Sequence, residues 1–399
     1  MYMNILLLAP HPFFQERGTP IAVNLLLKVL SGAGHRVDIL TYHLGEDVTH
    51  LNVTIHRIRG PLFIKNVRPG FSLKKLICDL YMIPKAVKMA RCGRYDVIHA
   101  VEESVFIARI IRRITGIPYV YDMDSSLPAQ MVEKMPFLVI LRPLMRWFEK
   151  RAISRAAAVI AVCDSLASIA KDSGGARVVV LNDISLLDPA PENARLETRE
   201  SLRIAGLCFI YIGNLESYQG IDLLLESFAI LLETAPDSTL VVAGGTDLDV
   251  ASYRKRAENL GIANNVRFIG RWPVNRMSTL MAAADVLVSP RLTGNNTPMK
   301  IYSYLDSGKP VLATAMAGHT QVLDQNTAVL SPPDPVGFAA GMLRLVNDPA
   351  LREGLGARGK ALATKKYSFD AFKATIINLY ASIEAEAPNA HLNRSKLSA

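Results

Sequence analysis

The sequence predicts an α/β chain of two doubly wound domains facing each other across a cleft. Three observations carry this expectation. Short apolar runs alternate with amphipathic segments through both halves, the pattern of parallel strands covered by helices on both faces. The 399 residues, half of them hydrophobic, suffice for two full cores. Residues 183–204 interrupt the alternation with prolines and charges and read as a linker running into the next unit.

In order along the chain, Asn4–Ala9 is a first strand ending at Pro10, and Pro20–Ser31 is a helix with Val23, Leu26, Leu27 and Leu30 on one face. Gly32–His35 turns into the strand Arg36–Tyr42. Asp96–Ala100 is followed by a helix through Ile107, Ile110, Ile111 and Ile114, and Gly116-Ile117-Pro118 leads into Tyr119–Met123. Val159–Cys163 and Val178–Leu181 complete an N-terminal domain over residues 1–182. After the linker, strands fall at Phe209–Gly213, Leu240–Gly244, Val266–Gly270, Val286–Ser289 and Val311–Thr314. Helices fall at Ile221–Glu233, Ala251–Leu260, Met277–Ala283, Pro335–Asn347 and Pro349–Lys366, giving a second domain over 205–366. A further helix at 367–385 precedes a polar tail, 386–399.

Charge is unevenly placed. Residues 1–182 carry 24 Lys and Arg against 14 Asp and Glu, a net +10, whereas residues 183–399 carry 21 against 22, a net −1. A basic half attracts an anionic bilayer or an anionic acceptor; no nucleic-acid module accompanies it, so nucleic acid is not expected as a partner. Two segments concentrate the charge. Ser72–Arg91 sets Lys74, Lys75, Lys85, Lys88 and Arg91 around Leu73, Leu76, Ile77, Leu80 and Val87. Leu138–Arg155 sets Arg142, Arg146, Lys150, Arg151 and Arg155 around Trp147-Phe148. Both have the composition of a membrane-surface helix, and both also fit a core-packed helix with a solvated face. No run approaches the ~18 apolar residues of a membrane span. The opening MYMNILLLAP reads as a buried strand, not a signal peptide. The four cysteines form no C-x-x-C pair, which argues against zinc or a disulfide framework and for a reducing compartment. The expected location is therefore the cytoplasm, with any membrane contact peripheral and on the inner face.

The segment SPRLTGNNTPMKIYSYLDSGKPVLAT holds the strongest chemical signal. It reads as a strand end, a Gly/Asn loop and a helix start, with Thr297 as cap, Pro298 in the first turn and Lys300 just after. Such a start offers unpaired N–H groups and a partial positive charge to an anion such as a diphosphate. Arg291 and Lys300 flank it as cations, and Gly213, ending a strand, lets backbone approach a phosphate. In the first half, His99, Glu102 and Glu103 follow a strand, and Asp122 and Asp124 lie on one face at the end of another. Paired carboxylates can bind acceptor hydroxyls; capping and turn formation would use the same residues.

Several of these segments resemble glycosyltransferase family 4. GNLESYQGIDLLLESF, LVVAGG, VRFIGRW, the helix junction and SGKPVLAT follow in that family's order and spacing. YDVIHA, GIPYVYDMDS and AAAVIAVCDS are similar to its first-half segments, so that the resemblance spans roughly residues 4–380. It implies the GT-B arrangement of two Rossmann-like domains, with the C-terminal helix crossing back to the first. It also implies retaining transfer of a sugar from a nucleotide-sugar donor, with no metal and no cofactor. Carried over position by position, Asn214 and Gln219 replace the family's Arg and Lys at the donor pyrophosphate. Asn295 and Ser303 replace its two glutamates, at the transferred sugar and the ribose. Asp124 replaces its histidine. Gly18-Thr19 keeps one glycine of a pair that sits under the donor phosphates or at the acceptor, beside Arg17, and Arg271 stands near the nucleobase position. The resemblance implies Asp124 and Asn295 as catalytic, and the cation at the helix start adds Lys300. Gly213, Asn214, Gln219, Arg271, Arg291, Asn296, Thr297 and Ser303 fall on the donor side. Gly18, Thr19, His99, Glu102 and Asp122 fall on the acceptor side. The expected acceptor is a lipid-linked or cell-envelope glycan, with an anionic membrane surface as a partner. Two alternatives stay open: an inactive glycan-binding or assembly subunit of the same fold, and a sugar-nucleotide epimerase.

Overall fold

The structure, a computed structural model, describes residues 2–15, 18–61, 63–67, 72–294 and 296–386. Arg17 and Asn295, both singled out above, lie outside the described residues. The chain divides into two compact units: Met1–Asn182 together with the segment from Phe372, and Asp183–Ala371.

In the first unit the described residues form strands β1 (Asn4–Ala9), β2 (Arg36–Thr41), β3 (Val53–Arg57), β4 (Val97–Val101), β5 (Tyr119–Met123), β6 (Ala158–Ala161) and β7 (Val178–Val180). They make one parallel sheet in the order β3-β2-β1-β4-β5-β6-β7. The helices are α1 (Gly18–Gly32), α2 (Leu73–Cys92), α3 (Ser104–Thr115), α4 (Leu127–Lys134), α5 (Arg142–Ile153) and α6 (Asp164–Asp172), with a 3-10 turn at Pro136–Leu141 before α5. The central strands β1 and β4 are buried on both faces, which is why they read as unbroken apolar runs. Strand β3 lies at the edge; its residues are half-buried to exposed, and its VTIHR sequence gives no apolar run to find.

In the second unit the helices are α7 (Ala194–Ser201), α8 (Ile221–Leu232), α9 (Asp247–Asn259), α10 (Met277–Ala283), α11 (Met299–Asp306), α12 (Ala317–Thr320), α13 (Pro335–Asn347) and α14 (Pro349–Lys366). The strands are β8 (Cys208–Ile212), β9 (Thr239–Ala243), β10 (Val266–Gly270), β11 (Val286–Ser289), β12 (Val311–Thr314) and β13 (Ala328–Ser331), parallel in the order β10-β9-β8-β11-β12-β13. The last helix, α15 (Phe369–Glu386), belongs mostly to the first unit. Helix starts follow local chemistry. Asp334 and Asp348 accept from the N–H groups of Gly337 and Leu351, each just ahead of a proline in the first turn. Thr246 and Asp249 form a reciprocal capping box on α9. Helix α7 falls inside the expected linker, fixed by Arg195 and Arg199 on the Asp285 carboxylate at 2.6 and 3.0 Å.

Two sequence expectations need correction. The segment Leu138–Arg155 is not one helix: a 3-10 turn ends at Leu141 and α5 begins at Arg142. Pro143 lacks the N–H that a continuous helix would need there. In α2, of the two readings left open, the core-packed one with its leucines inward does not hold, since Leu73, Leu76 and Leu80 point out at 70%, 45% and 60% exposure. The buried row is instead Lys75, Cys78, Met82, Ala86 and Ala90, spaced three and four residues apart. Lys75 turns inward because its ammonium lies 2.8 Å from Glu102 and 2.7 Å from Glu103.

This buried cluster sets a pH dependence. Tyr42 donates to Asp79 at 2.6 Å beside it, so three carboxyls surround one ammonium. Burial, with Glu102 and Asp79 adding to it against the pull of Lys75, lifts Glu103 to about 8. A carboxyl whose folded pKa is raised stabilises below its unfolded pKa and loses that contribution as pH climbs through the folded value. Glu103→Gln keeps the shape without the ionisation. Its thermal midpoint for the first unit should exceed wild type more at pH 9 than at pH 6, read by calorimetry; an equal difference at both would remove the assignment.

Candidate active site

The order of the second sheet places a topological switch at β8, whose neighbours β9 and β11 leave in opposite directions. Ligands of such sheets bind at the carboxyl ends of the strands flanking that point. The loops there are 213–220 after β8 and 290–298 after β11, and α11 follows the second.

Gly213 is the floor of the site. An added Cβ would lie 2.8 Å from the Tyr211 hydroxyl and 3.2 Å from Lys300 Nζ. Behind it, a Cβ on Gly244 would sit 1.9 Å from the Gly213 carbonyl oxygen, so the two strand ends touch backbone to backbone. The Lys300 ammonium stands over the Tyr211 ring at 4.0 Å from its centroid and donates to Gln219 Oε1 at 3.2 Å. Burial first, and then the field of Arg291, hold this ammonium well below the usual lysine pKa. Tyr211 donates to the Asn214 carbonyl at 2.6 Å, and the Asn214 side chain donates to the Tyr218 hydroxyl at 3.3 Å. Tyr304 of α11 accepts from the Ile212 N–H at 2.9 Å and ties that helix to β8.

The second loop is built around Arg291. Its Nε donates to the Thr293 carbonyl at 2.6 Å and its Nη1 to the Asn296 carbonyl at 3.0 Å, while its guanidinium lies over the Tyr218 ring at 5.4 Å. Thr297 is buried at 7% exposure, and its hydroxyl has no hydrogen-bond partner among the described residues. This corrects the expected cap: Pro298 occupies the N-cap position of α11 with no side-chain bond, and the Thr297 hydroxyl is left for something else. A buried, unbonded hydroxyl at a helix start costs stability unless a ligand oxygen fills it.

His319 was not among the sequence candidates, and it organises both strand ends. Its Nδ1 lies 2.9 Å from the Thr314 carbonyl, which can only accept, so Nδ1 carries the proton. Nε2 then accepts from the Ser289 hydroxyl at 2.9 Å. The Thr314 hydroxyl donates to the Arg291 carbonyl at 2.6 Å. The loop carbonyls of Gly294 and Asn296 would be 2.8 and 3.0 Å from a Cβ on Gly318, so the loop rests on α12. A histidine right after Ala317-Gly318, close behind a buried strand, was the available signal.

The structure therefore brings Gly213, Asn214, Gln219, Arg291, Asn296, Thr297 and Lys300 into one region of the second unit. Ser303 lies half-buried farther along α11, and Arg271 is exposed after β10, at the far edge of the sheet. Gly18, Thr19, His99, Glu102, Asp122 and Asp124 belong to the first unit. There His99 is fully buried with both ring nitrogens engaged. Nε2 donates to Asp122 Oδ2 (3.1 Å) and Nδ1 accepts from the Tyr380 hydroxyl (2.8 Å), its ring stacked on that tyrosine. Its place is a clamp holding α15 to β4, which corrects its expected acceptor contact. Glu102, at φ +49°, is likewise committed to Lys75. Gly18 (φ +28°) and Thr19 open α1, and Asp124 follows β5. Among the described residues no cluster of three or more His, Cys, Asp or Glu could hold a metal ion.

Two parallel-sheet α/β units, each with its ligand edge at a switch point, define the GT-B class. Comparisons with known proteins agree. The family described as "Glycosyl transferases group 1" matches residues 196–362, and "Glycosyl transferase 4-like domain" matches residues 17–182. The chain is 24% identical over 394 residues to a phosphatidyl-myo-inositol mannosyltransferase of Mycolicibacterium smegmatis, covering 96% of this chain and 94% of that one. It is 25% identical over 311 residues to a D-inositol 3-phosphate glycosyltransferase of Corynebacterium diphtheriae, covering 68% and 67%. Among solved structures, Anabaena Alr3699/HepE in complex with UDP superposes with a TM-score of 0.75 at 18% identity, covering 95% of this chain and 100% of that one. The chain belongs to the group 1, family-4-like glycosyltransferases, and it is a transferase of the GT-B fold.

The neutral His319 makes a testable feature. Burial, and then Lys300 and Arg291, lower its pKa to about 4 against the hydrogen bond to Thr314, so the unfolded chain binds the extra proton first. Stability of the second unit should fall as pH drops from about 6.5 to 4, by up to about 3 kcal/mol. His319→Gln should flatten that acid limb in urea unfolding; an unchanged limb would show the acid loss to arise elsewhere.

Proposed function

We propose that the protein transfers a sugar, with retention of anomeric configuration, from a nucleoside-diphosphate sugar to a lipid-linked or cell-envelope glycan acceptor at the inner face of the membrane. The supporting observation is the anion pocket at the β8–β11 switch: the Lys300 ammonium against the Gly213 backbone, with the unbonded Thr297 hydroxyl at the start of α11. A diphosphate placed there meets a cation, a hydroxyl and helix N–H groups together. The Mycolicibacterium relative is named for a phosphatidyl-inositol acceptor and the Anabaena neighbour for bound UDP, which favours a lipid acceptor and a nucleotide donor.

In this reading the C1–O bond to the leaving diphosphate breaks while the acceptor hydroxyl attacks the same face of the sugar. The departing phosphate oxygen accepts the acceptor's proton. The protein's task is to stabilise negative charge growing on the leaving group, and preorganised donors are suited to that. Lys300 supplies charge, the Thr297 hydroxyl and the amides of α11 supply hydrogen bonds, and Arg291 holds the loop that presents them. Asp124, Asn295 and Ser303 complete the proposed contacts to acceptor and sugar. These groups perform the step without a metal or cofactor.

The test is calorimetric binding of UDP and GDP together with a donor screen by mass spectrometry, using lipid extract as acceptor. Lys300→Met should weaken nucleoside-diphosphate affinity about 10- to 100-fold, the range of a charge-assisted hydrogen bond. Arg291→Ala should weaken it less and raise protease sensitivity of the loop. Unchanged affinity in both variants would overturn the pocket, and glycan binding without turnover of any donor would favour an assembly subunit.

A further inference from the structure

The sheet of the first unit has a second edge that the transfer chemistry does not use. At the amino ends of its strands an open pocket of about 540 Å³ lies beside the start of β4. A pocket of that volume takes a small molecule. Helices α2 and α3 both end there, through Ala90 and Arg91 on one side and Thr115 on the other, and Tyr95 and Asp96 lead from α2 into the strand. The five residues of β4, about 16 Å of strand, separate the pocket from Glu102 at the opposite edge. Its walls are held within the protein. Gly93 caps α2 with its N–H on the Met89 carbonyl at 2.7 Å and passes against the Tyr95 ring, where a Cβ would come within 2.4 Å of a ring carbon. Tyr95 in turn donates to Asp38 Oδ2 at 2.7 Å, and Asp96 Oδ2 accepts from the Asn4 N–H at 2.8 Å. The Thr115 hydroxyl donates to the Ile111 carbonyl and accepts from the Ile117 N–H.

Charge divides the pocket in two. Arg91 and Arg94 are exposed on its wall, and among the described residues no carboxylate lies within ion-pair distance of either. Arg91 sits in the last turn of α2, where a cation complements the helix dipole; Arg94 follows the helix and has no such task. Asp96 also borders the pocket, and the two helix ends present carbonyls without intrahelical partners and a partial negative charge. One part therefore offers guanidinium donors to an anion, and the other offers acceptors to hydroxyl groups. A simple anion would use the arginines and set its remaining oxygens against Asp96 and the helix ends. A neutral sugar would leave both arginines without a counter-charge. A hydroxylated anion meets both parts at once, its charged group on Arg91 and Arg94 and its hydroxyls donating to Asp96 and the helix-end carbonyls.

We infer that this pocket binds a small hydroxylated anion, a sugar phosphate or a sugar acid, apart from the nucleotide pocket of the second unit. All its lining residues come from the first unit, so its occupancy does not depend on the transferase reading. Bound there, the ligand bridges the ends of α2 and α3 to the start of β4. Near its other end α2 is tied by Lys75 to Glu102 and Glu103, just past β4, so the ligand completes the fastening of helix to strand at both ends. Filling the pocket stabilises the first unit, because the ligand binds the folded chain alone.

Calorimetric titration of the full chain with glucose 6-phosphate and with glucuronate tests this, with glucose and inorganic phosphate as controls. At least one of the two probes should bind saturably and raise the thermal midpoint of the first unit, and neither control should; the tighter probe tells which anionic group the arginines take. Arg94→Gln should lower that affinity about 10-fold, the loss of one charge-assisted hydrogen bond, and Arg91→Gln with Arg94→Gln should abolish it. Both arginines are exposed, so their replacement costs the fold little, and an unchanged midpoint without ligand checks this. Lys300→Met should leave probe binding unchanged, which separates this pocket from the one in the second unit. Equal binding of inorganic phosphate, no binding of either probe, or loss of binding in Lys300→Met in place of the arginine variants would each overturn the inference. Nucleoside-diphosphate affinity is read separately, so failure here and failure of the transferase reading are distinguishable.

Discussion

The ammonium of Lys300, pressed between the Tyr211 ring and the Gly213 backbone, is the constraint around which the second unit is arranged. A Cβ at 213 would lie 2.8 Å from the Tyr211 hydroxyl and crowd the ammonium at 3.2 Å. A smaller ring at 211 would remove the face it sits on. The Gln219 carbonyl orients it, and Tyr304 holds α11, which carries it, against β8. Burial makes a lone ammonium unfavourable, so the arrangement is poised for an anion: an approaching diphosphate lowers the cost that the empty protein bears.

That geometry gives physical sense to the substitutions at 214 and 219. Where the resemblance implies positive charge on the loop after β8, this chain carries Asn214 and Gln219, and Lys300 of α11 reaches back to the Gly213 backbone. Gln219 becomes the acceptor that steadies the relocated charge instead of the donor of one. Arg291 does not substitute in the same way. Its Nε and Nη1 are spent on the Thr293 and Asn296 carbonyls, so it shapes the loop and adds to the field at Lys300.

The sequence made legible whatever depends on local periodicity and local caps. Helices α13 and α14 could be read because Asp-Pro at 334–335 and at 348–349 fixes a start within one residue. Buried parallel strands such as β8 could be read because all five residues are apolar or aromatic and covered on both sides. Strand β3 escaped because an edge strand shows no full apolar run. The orientation of α2 stayed open because its leucines fit either an inward or an outward face, and only the distant Glu102 and Glu103 reveal that Lys75 belongs inside. Thr297 was found and given the wrong task, since a threonine before a proline looks like a cap whether or not its hydroxyl turns toward the helix. His319 was missed because its partners, Ser289 and Thr314, come from two other segments.

The two units distribute charge in opposite ways, and this division of labour follows from what each faces. The first unit takes five of its carboxyls into the fold: Glu102, Glu103 and Asp79 crowd around Lys75, Asp122 engages His99, and Glu149 anchors α5. Its arginines are left outside, which turns a modest sequence excess of positive charge into a strongly basic surface. The second unit is nearly neutral overall, yet it draws Lys300 and Arg291 to one edge beside a histidine kept neutral first by burial and then by those charges. Net charge alone would assign anion binding to the first half only. The positions of the charged groups leave a diffuse basic surface on the first unit and gather two cations, Lys300 and Arg291, at one edge of the second.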